Sequence, residues 1–459
     1  MLSFYGWNGE RMDRGPDIAA GRVPREILAL NFADAHPPLT DAQAIIEADR
    51  CYFCYDAPCI EACPTSIDVP AFIKGIATGN LAGAARTILE SNILGGSCAR
   101  VCPTEILCEQ KCVRNAQEEK PVQIGALQRR ATDWQMARGV QPFTRAAATG
   151  RRVAVVGAGP AGLACAHRLA MHGHEVTLFD AKPKLGGLNE YGVAAYKTPG
   201  DFAQDEVNFV LSIGGVTLAP DQALGRDFTI DTLMDEYEAI FLSLGQAGAR
   251  KAGLTGEDLS GVMNAVDFIE SIRISGTKED VAVGRRVVVI GGGNTAIDAA
   301  VQAKRLGAEE VTLVYRRGRE TMSATEVEQA WAQTNGVTIR HWAAPARIEG
   351  ANGATTAIAF TRGRALDGRA VHDGEEFVLE ADMILKAVGQ HVVFDPLEGS
   401  GVETEGGRIR VDAVGRTSRA GVYAGGDCTA GEDLTVAAVR DGRDAAEAIH
   451  ADLSQKKEV

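Results

Sequence analysis

A cysteine-rich helical segment followed by two Rossmann-like α/β nucleotide-binding folds, the second lodged inside the first, is the architecture expected of this 459-residue chain. Three features point to it. Eight of the ten cysteines fall between Cys51 and Cys112, a strand–glycine loop–helix unit opens at residue 151, and the same unit returns 134 residues later. A chain this long suggests about two to four domains, and an apolar content of 45% is enough to give each a core.

Charge sets outer limits. The formal net charge of −14 argues against phosphate-backbone or anionic-lipid partners, whose footprints need a basic surface. No nucleic acid and no membrane are therefore expected. The opening "MLSFYGWNGERMDRG" lacks the basic and apolar regions of a signal peptide, and no apolar run approaches the roughly 18 residues that suggest a membrane span. A cytoplasmic setting is expected. In a reducing compartment, clustered cysteines hold metal or do redox chemistry more often than they form disulfides.

The first domain, residues 1–145, carries the cysteines in two runs. Cys51-x2-Cys54-x4-Cys59-x3-Cys63-Pro64 comes first, then Cys98-x3-Cys102-Pro103 followed by Cys108 and Cys112. Short spacings ending in Cys-Pro are close to the bacterial ferredoxin run, where three thiolates wrap one iron–sulfur cube and a fourth reaches a second. Two interleaved 4Fe-4S clusters are the reading. Structural zinc would want C-x2-C pairs about 15 to 20 residues apart, and the sequence has a single C-x2-C. Cys165 and Cys428 stand alone and are expected as small buried side chains. Between the runs, "DVPAFIKGIATGNLAGAARTILESN" repeats apolar residues at helical intervals. "IGALQRRATDWQM" makes a further helix, and "ARGVQPFTRAAATGRR" loses periodicity as a linker.

Next comes "RRVAVVGAGPAGLACAHRLAMHGHEVTLFD", a strand, the loop Gly157-Ala158-Gly159-Pro160 leading to Gly162, a helix, and a second strand ending at Asp180. Gly157 permits the tight turn, Gly159 lets a pyrophosphate approach the backbone, Gly162 brings helix and strand together, and Asp180 can accept from a ribose hydroxyl. The helix N-terminus favours the phosphate charge.

The pattern returns in "RRVVVIGGGNTAIDAAVQAKRLGAEEVTLVYRR", with Gly291, Gly293 and Ala296 at the glycine positions and Asn294 and Thr295 between them. Here the acid is replaced by Tyr315, followed by Arg316 and Arg317. Guanidinium groups bind a 2′-phosphate that a carboxylate would repel. NADP(H) is thus favoured over NAD(H); the alternative is a solvated charge run with Arg319.

Strands at 239–246 and 381–390 each run into a glycine, the second placing Ala387 and Gly389 at the second nucleotide site. In "GVYAGGDCTAGEDLTVAAVRDGRDAAEAI" a strand ends at Gly425-Gly426-Asp427 and a helix begins near Thr435. Asp427 can bind a ribityl hydroxyl, and the helix N-terminus can face the isoalloxazine edge, where reduction builds negative charge. That suits FAD. The order of parts implies an NAD(P)H domain at 276–387 inserted in a discontinuous FAD domain of 150–275 and 388–455, with the cofactors meeting between domains.

With these motifs in place, the chain resembles the pyridine-nucleotide oxidoreductases of the glutamate synthase small-subunit type over nearly its whole length. Its front domain looks most like the amino-terminal half of dihydropyrimidine dehydrogenase and that enzyme's separate bacterial small subunit. "CYFCYDAPCIEACP", "LGGSCARVCPTEILCEQKC" and "IGALQRRATDW" carry the likeness. The resemblance implies that Cys51, Cys54, Cys59 and Cys112 ligate one cluster, and that Cys63, Cys102, Cys108 and the amide oxygen of Gln128 ligate the other. By count alone, Cys98 could be the last ligand. A neutral amide in place of a thiolate removes one negative charge and should raise the cluster potential. "DAKPKLGGL" matches the family's flavin-contacting stretch, with Lys182, Gly187 and Leu188, and Lys197 stands where relatives often have arginine.

The implied chemistry passes hydride from NAD(P)H to FAD, then single electrons through both clusters to a separate subunit. That FMN- and iron–sulfur-containing catalytic partner would bind uracil and thymine in a hetero-oligomer. No side chain of this chain is assigned as a general acid or base. The alternatives are a small subunit of NADPH-dependent glutamate synthase, a standalone NADPH:ferredoxin oxidoreductase, and, from another class, a zinc-stapled binding module.

Overall fold

The computed structural model describes residues 17–366 and 369–455. The opening segment read above for a leader lies outside them. Among the described residues the front of the chain is built from short helices, of which five frame the cysteines: α1 (Asp41–Asp49), α2 (Val69–Ala77), α3 (Leu81–Ser91), α4 (Gly95–Val101) and α5 (Ile124–Ala137). Their positions follow from side-chain spacing. Val69, Phe72, Ile73 and Ile76 form the buried face of α2, and Ala84, Ala85, Ile88 and Leu89 that of α3, the intervals of an amphipathic helix. Asp68 and Asn80 cap the two helices, accepting from the Ala71 and Gly83 N–H groups at 3.0 Å each, which satisfies donors a helix start leaves free.

From residue 152 the chain alternates strand and helix. It runs through β1 (Arg152–Val156), α6 (Pro160–Met171), β2 (Glu175–Phe179), α7 (Phe202–Leu211), β3 (Val216–Ala219) and β4 (Ala239–Leu242). There follow β5 (Val262–Asn264), α8 (Ala265–Ile274), β6 (Arg286–Gly291), α9 (Asn294–Arg305), β7 (Glu310–Val314), β8 (Thr338–Arg340) and β9 (Met383–Ala387). Last come β10 (Val422–Ala424) and α10 (Thr435–Gln455).

Two five-stranded parallel sheets result, in the orders β10-β4-β1-β2-β3 and β8-β7-β6-β9-β5. Runs such as Val153–Val156 and Val287–Ile290 are buried throughout, as strands covered on both faces must be. In the first sheet Val156 and Ala424 both stand level with Leu242. The loops leaving β1, β4 and β10 therefore emerge side by side at the carboxyl edge, where open α/β sheets bind ligands.

The chain divides into two compact units. One comprises Ala33–Arg250 and the segment from Gly389; the other comprises Lys251–Val388 and the segment ending at Phe32. In the first, α1, α2, α3, α5 and the first sheet share one apolar core, running from Ile73, Ile88 and Leu127 to Val153, Leu163 and Ile449. In the second, the other parallel sheet is joined by an antiparallel sheet of Ala343–Ala351, Ala354–Arg362 and Glu376–Glu380.

These limits differ from the expected 1–145 and 150–275. Val262 pairs with Ile384, so β5 belongs to the second sheet. Ile18–Ala19 pairs with Val283–Gly284, and Asn31 donates to the Arg305 carbonyl at 2.8 Å. A three-residue strand at a sheet margin and an isolated two-residue pair carry no periodicity a sequence can display.

Candidate cofactor sites

Four thiols of the front domain share one cavity. Cys51, Cys54, Cys59 and Cys112 line a space of about 30 Å3 together with the apolar side chains of Val69, Ile73, Val122 and Ile124. The Phe53 N–H points at Cys51 Sγ, 3.4 Å away. Burial, reinforced by Cys51, Cys112 and Cys54, pushes the Cys59 thiol up to about 12. Such crowded thiols resist ionisation until a cation compensates them, as iron–sulfur and other metal sites do. Among the described residues no three Cys, His, Asp or Glu side chains gather around a point that would hold a single metal ion. The four thiols line one space together.

Cys63, Cys102 and Cys108 form the other group. Burial raises the Cys102 thiol, and Cys98, Cys108, Cys63 and Glu105 are the titratable groups around it. Cys108 is raised by burial too, with Glu109, Cys63 and Cys59 around it, so the two groups adjoin. Cys63 Sγ lies 3.3 Å from Thr65 Oγ1. Cys102 caps the carboxyl end of α4, its N–H donating to the Cys98 carbonyl at 3.0 Å.

Gln128 is buried on α5, and its Nε2 donates to the Gly95 carbonyl at 2.7 Å. That bond fixes which amide atom is oxygen, and among the described residues no donor reaches Oε1. An amide oxygen that no protein donor engages is what a ligating amide would present. Cys98 is buried one turn before Cys102 with its thiol raised by burial. The residues present fit two iron–sulfur groups.

The Gly95-Gly96 pair explains how α4 sits. A Cβ on Gly95 would lie 2.6 Å from Ile88 Cγ2, and one on Gly96 would lie 2.7 Å from Glu206 Oε1 and 2.8 Å from Phe202 Cζ. Glu206, on α7, is fully buried and accepts from the Ser97 N–H at 2.8 Å and from the Ser97 hydroxyl. Burial, only partly offset by those donors and Arg100, lifts its carboxyl to about 7.

At the edge of the first sheet each loop glycine has its own cause. Gly157 has φ +100° and a Cβ there would meet the Ser243 carbonyl oxygen at 2.3 Å; one on Gly162 would meet the Gly157 oxygen at 1.9 Å. Gly159 has nothing closer than 3.9 Å, leaving its backbone open to approach, and Pro160 starts α6 at a position suited to proline. Asp180 accepts from the Ala158 N–H at 2.7 Å and the Lys182 N–H at 2.8 Å, and burial raises its carboxyl. It thus shapes the glycine loop.

Gly187 packs on this loop, since a Cβ there would lie 2.7 Å from Gly159 Cα. Lys182 Nζ lies 4.1 Å from the centre of the Tyr191 ring, Leu188 is exposed, and Lys197 is buried. Gly426 abuts α6, 3.0 Å from Ala161 Cβ for a Cβ placed there. Asp427 is pushed up to about 6 by burial and by Asp433, against the pull of Arg408. Thr435 opens α10, its hydroxyl donating to Asn189 Oδ1 at 3.1 Å. All the residues expected at the first nucleotide site belong to one unit, and Gly157, Asp180 and Gly426 follow the ends of strands of its one parallel sheet. Sequence reasoning missed Ser243, whose hydroxyl lies 2.6 Å from the Gly157 carbonyl and 3.1 Å from that of Val156. A serine closing the apolar run "AIFLSLG" was its one signal.

In the second unit, Gly291 pairs with Ala387, and a Cβ on it would meet the Ala387 oxygen at 2.4 Å. Gly293 precedes Asn294 and Thr295 in the first turn of α9, and Ala296 is buried against the strand. Tyr315 turns inward: a Cβ on Gly292 would lie 2.4 Å from its ring, and its hydroxyl donates to the Thr321 carbonyl at 2.7 Å. Arg316 and Arg317 are exposed, Arg317 lying 5.5 Å from the Tyr315 ring centre. Neither guanidinium has a carboxylate partner among the described residues. Ser323, close to Gly293, was another residue missed. Gly389 falls in the other unit, its carbonyl accepting from the Arg250 N–H at 3.0 Å. Cys165 and Cys428 are fully buried, as expected. Among the described residues no helix is long and apolar enough to cross a membrane.

Residues 151–442 match the pyridine nucleotide-disulphide oxidoreductase family, and residues 28–140 match a family described as dihydropyrimidine dehydrogenase domain II, 4Fe-4S cluster. The NAD-dependent dihydropyrimidine dehydrogenase subunit PreT of Escherichia coli O157:H7 is 36% identical over 90% of this chain and 95% of its own. The glutamate synthase [NADPH] small chain of Escherichia coli K12 is 32% identical over 93% and 95%. Among solved structures, Mycobacterium tuberculosis FprA in complex with NADPH superposes with a TM-score of 0.57 at 20% identity, covering 67% of this chain and 85% of that one, a likeness of fold. With a family match spanning most of its length and relatives this similar end to end, the chain belongs to the pyridine nucleotide-disulphide oxidoreductases, in the group that joins them to a 4Fe-4S domain and includes the bacterial dihydropyrimidine dehydrogenase subunits.

Proposed function

We propose that this chain is the electron-input subunit of an NAD(P)H-dependent dihydropyrimidine dehydrogenase, working in the cytoplasm with a separate FMN- and iron–sulfur-containing subunit that reduces uracil and thymine. The observation that carries the reading is Gln128. Its amide oxygen has no partner, on the helix that follows seven clustered cysteines which separate into a four-thiol and a three-thiol group. The three-thiol group needs a fourth ligand, and the domain's similarity is to dihydropyrimidine dehydrogenase domain II.

When bound, FAD and two 4Fe-4S clusters supply hydride acceptance and its division into single electrons. The chain's residues bind and orient. The open backbone at Gly159 and the N-terminus of α6 receive the FAD pyrophosphate. Asp180 and Asp427 accept from ribose and ribityl hydroxyls, Thr435 brings the positive end of α10 to the flavin, and Lys182, Gly187, Leu188 and Lys197 complete its surroundings. In the NAD(P)H domain, inserted between the two parts of the FAD domain, Gly293 and the first turn of α9 receive the nicotinamide dinucleotide. Arg316 and Arg317 hold its 2′-phosphate, so NADPH is preferred. Cys51, Cys54, Cys59 and Cys112 hold one cluster; Cys63, Cys102, Cys108 and Gln128 hold the other. No proton donor to substrate is needed here, because the pyrimidine is reduced on the partner.

Co-expressed with that partner, the chain should oxidise NAD(P)H when uracil is added and stay inert with 2-oxoglutarate plus glutamine. The opposite pattern assigns it to glutamate synthase. Turnover confined to artificial acceptors would sink the pyrimidine reading.

A further inference from the structure

Arg443 lies on α10, two turns beyond Thr435, and reaches out of the flavin sheet into the cysteine domain of the same unit. Its Nη1 donates to the Thr65 carbonyl at 3.0 Å and to the Ser91 carbonyl at 2.9 Å, while its Nε is held by Asp444 at 2.8 Å. Neither acceptor is incidental. Ser91 ends α3, where carbonyls lack helical partners and a cation is favoured. Thr65 is buried, its hydroxyl lies against Cys63 Sγ, and it sits in a turn closed by the Ser66 N–H on the Cys63 carbonyl at 2.8 Å. Ser66 occupies the left-handed region at φ +54°, which a serine adopts only where its surroundings hold it. One side chain thus ties the Cys63 turn and the end of α3 to the helix whose start faces the flavin site. From Thr435 to Arg443 that helix rises about 12 Å, so it acts as a spacer of fixed length.

We infer that Arg443 is a positioning residue, which holds the Cys63, Cys102 and Cys108 group at a set distance from the flavin edge through the Thr65 and Ser91 carbonyls. The inference rests on the electron path proposed above. Electron tunnelling falls steeply with the gap, whereas hydride transfer into the flavin does not depend on where the cysteine domain sits. Glu206, reaching Ser97 from α7, fixes the same group at α4 from another side. Arg443 is the contact at the Cys63 turn. Both carbonyls are met by the one nitrogen, Nη1; a lysine ammonium has donors for both but loses the Nε bond to Asp444 that orients the head.

Arg443→Ala and Arg443→Lys in the full-length holoprotein, compared with the parent under anaerobic conditions, provide the test. Flavin bleaching by NADPH should keep its rate. The following electron transfer into the clusters should slow by about tenfold or more in Arg443→Ala, the scale of an ångström-level misplacement, and recover partly in Arg443→Lys. Amide hydrogen exchange across residues 62–68 and 88–94 should rise in Arg443→Ala with the α6 and β1 peptides unchanged, a readout that holds even in cluster-free protein. Parental transfer rates in Arg443→Ala, unchanged exchange in those segments, or an equal slowing of flavin bleaching would each overturn the inference. If the unaltered holoprotein fails to pass electrons from flavin to cluster, the electron path itself is wrong, and that result is separate from any behaviour of the variants.

Discussion

Glu206 shows what a single buried carboxyl does here. Its folded-state value of about 7 stands above the ordinary 4.5, so it favours folding fully below about 4.5, and the contribution is lost as pH rises through 7. Between pH 5 and pH 8, the thermal midpoint of the parent should fall relative to that of Glu206→Gln; a constant difference would show that the carboxyl does not titrate in this way. Arg316 and Arg317 carry a second prediction. Replacing both with alanine should weaken NADPH by about tenfold or more, the worth of a charge-assisted hydrogen bond, and leave NADH little changed; titrations with each nucleotide decide it. At this scale the sequence was legible wherever a residue type has one physical use. Gly157 and Gly162 stand where no Cβ fits, and the order Asp180 then Tyr315 is written in the chain. Ser243 was not legible, because a hydroxyl that holds a neighbouring loop looks like any serine until the two strands are set side by side.

Among the elements, the interleaving of the two cysteine runs has a sharp consequence. Cys112 shares a cavity with three cysteines of the first run, while Cys63 faces Cys102 and Cys108 of the second. Cys59→Ser should therefore cost about four of eight irons and spare one cluster, as read by iron analysis and by the reduced-protein EPR signal. Cys98→Ala should keep all of them, and Gln128→Ala should not. Helix packing gives another prediction. A Cβ on Gly442 of α10 would lie 2.0 Å from the Ala161 oxygen of α6. Gly442→Ala must push the two helices apart, at about 1 to 3 kcal/mol of overpacking, and should lower flavin retention on gel filtration. Helices α2 and α3 could be read directly because their apolar residues recur on one face. The short α4 could not: its place depends on Gly96 meeting Phe202 and Glu206, partners distant in the chain.

For the whole molecule, the two chain crossings between units lie beside each other. Ala249 pairs with Gln390, and the Arg250 N–H donates to the Gly389 carbonyl. Joining Arg250 directly to Gly389 leaves a two-residue hairpin loop with a glycine at positive φ, the kind of turn antiparallel strands accept. A chain shortened in this way should still bind FAD and iron and be reduced by dithionite, yet ignore NAD(P)H; loss of flavin together with the nicotinamide response would contradict the division into units. The return of β10 to the first sheet could be foreseen from its Gly-Gly-Asp ending. The partner of Ile18–Ala19 could not, because two residues cannot specify a neighbour across the chain. That small pairing also sets an order of assembly. Gly284, which Ile18 needs, leaves the ribosome roughly 15 to 50 s after it. The thiols of the front segment thus emerge long before Ile18–Ala19 can pair, and iron can be loaded while that strand is still open.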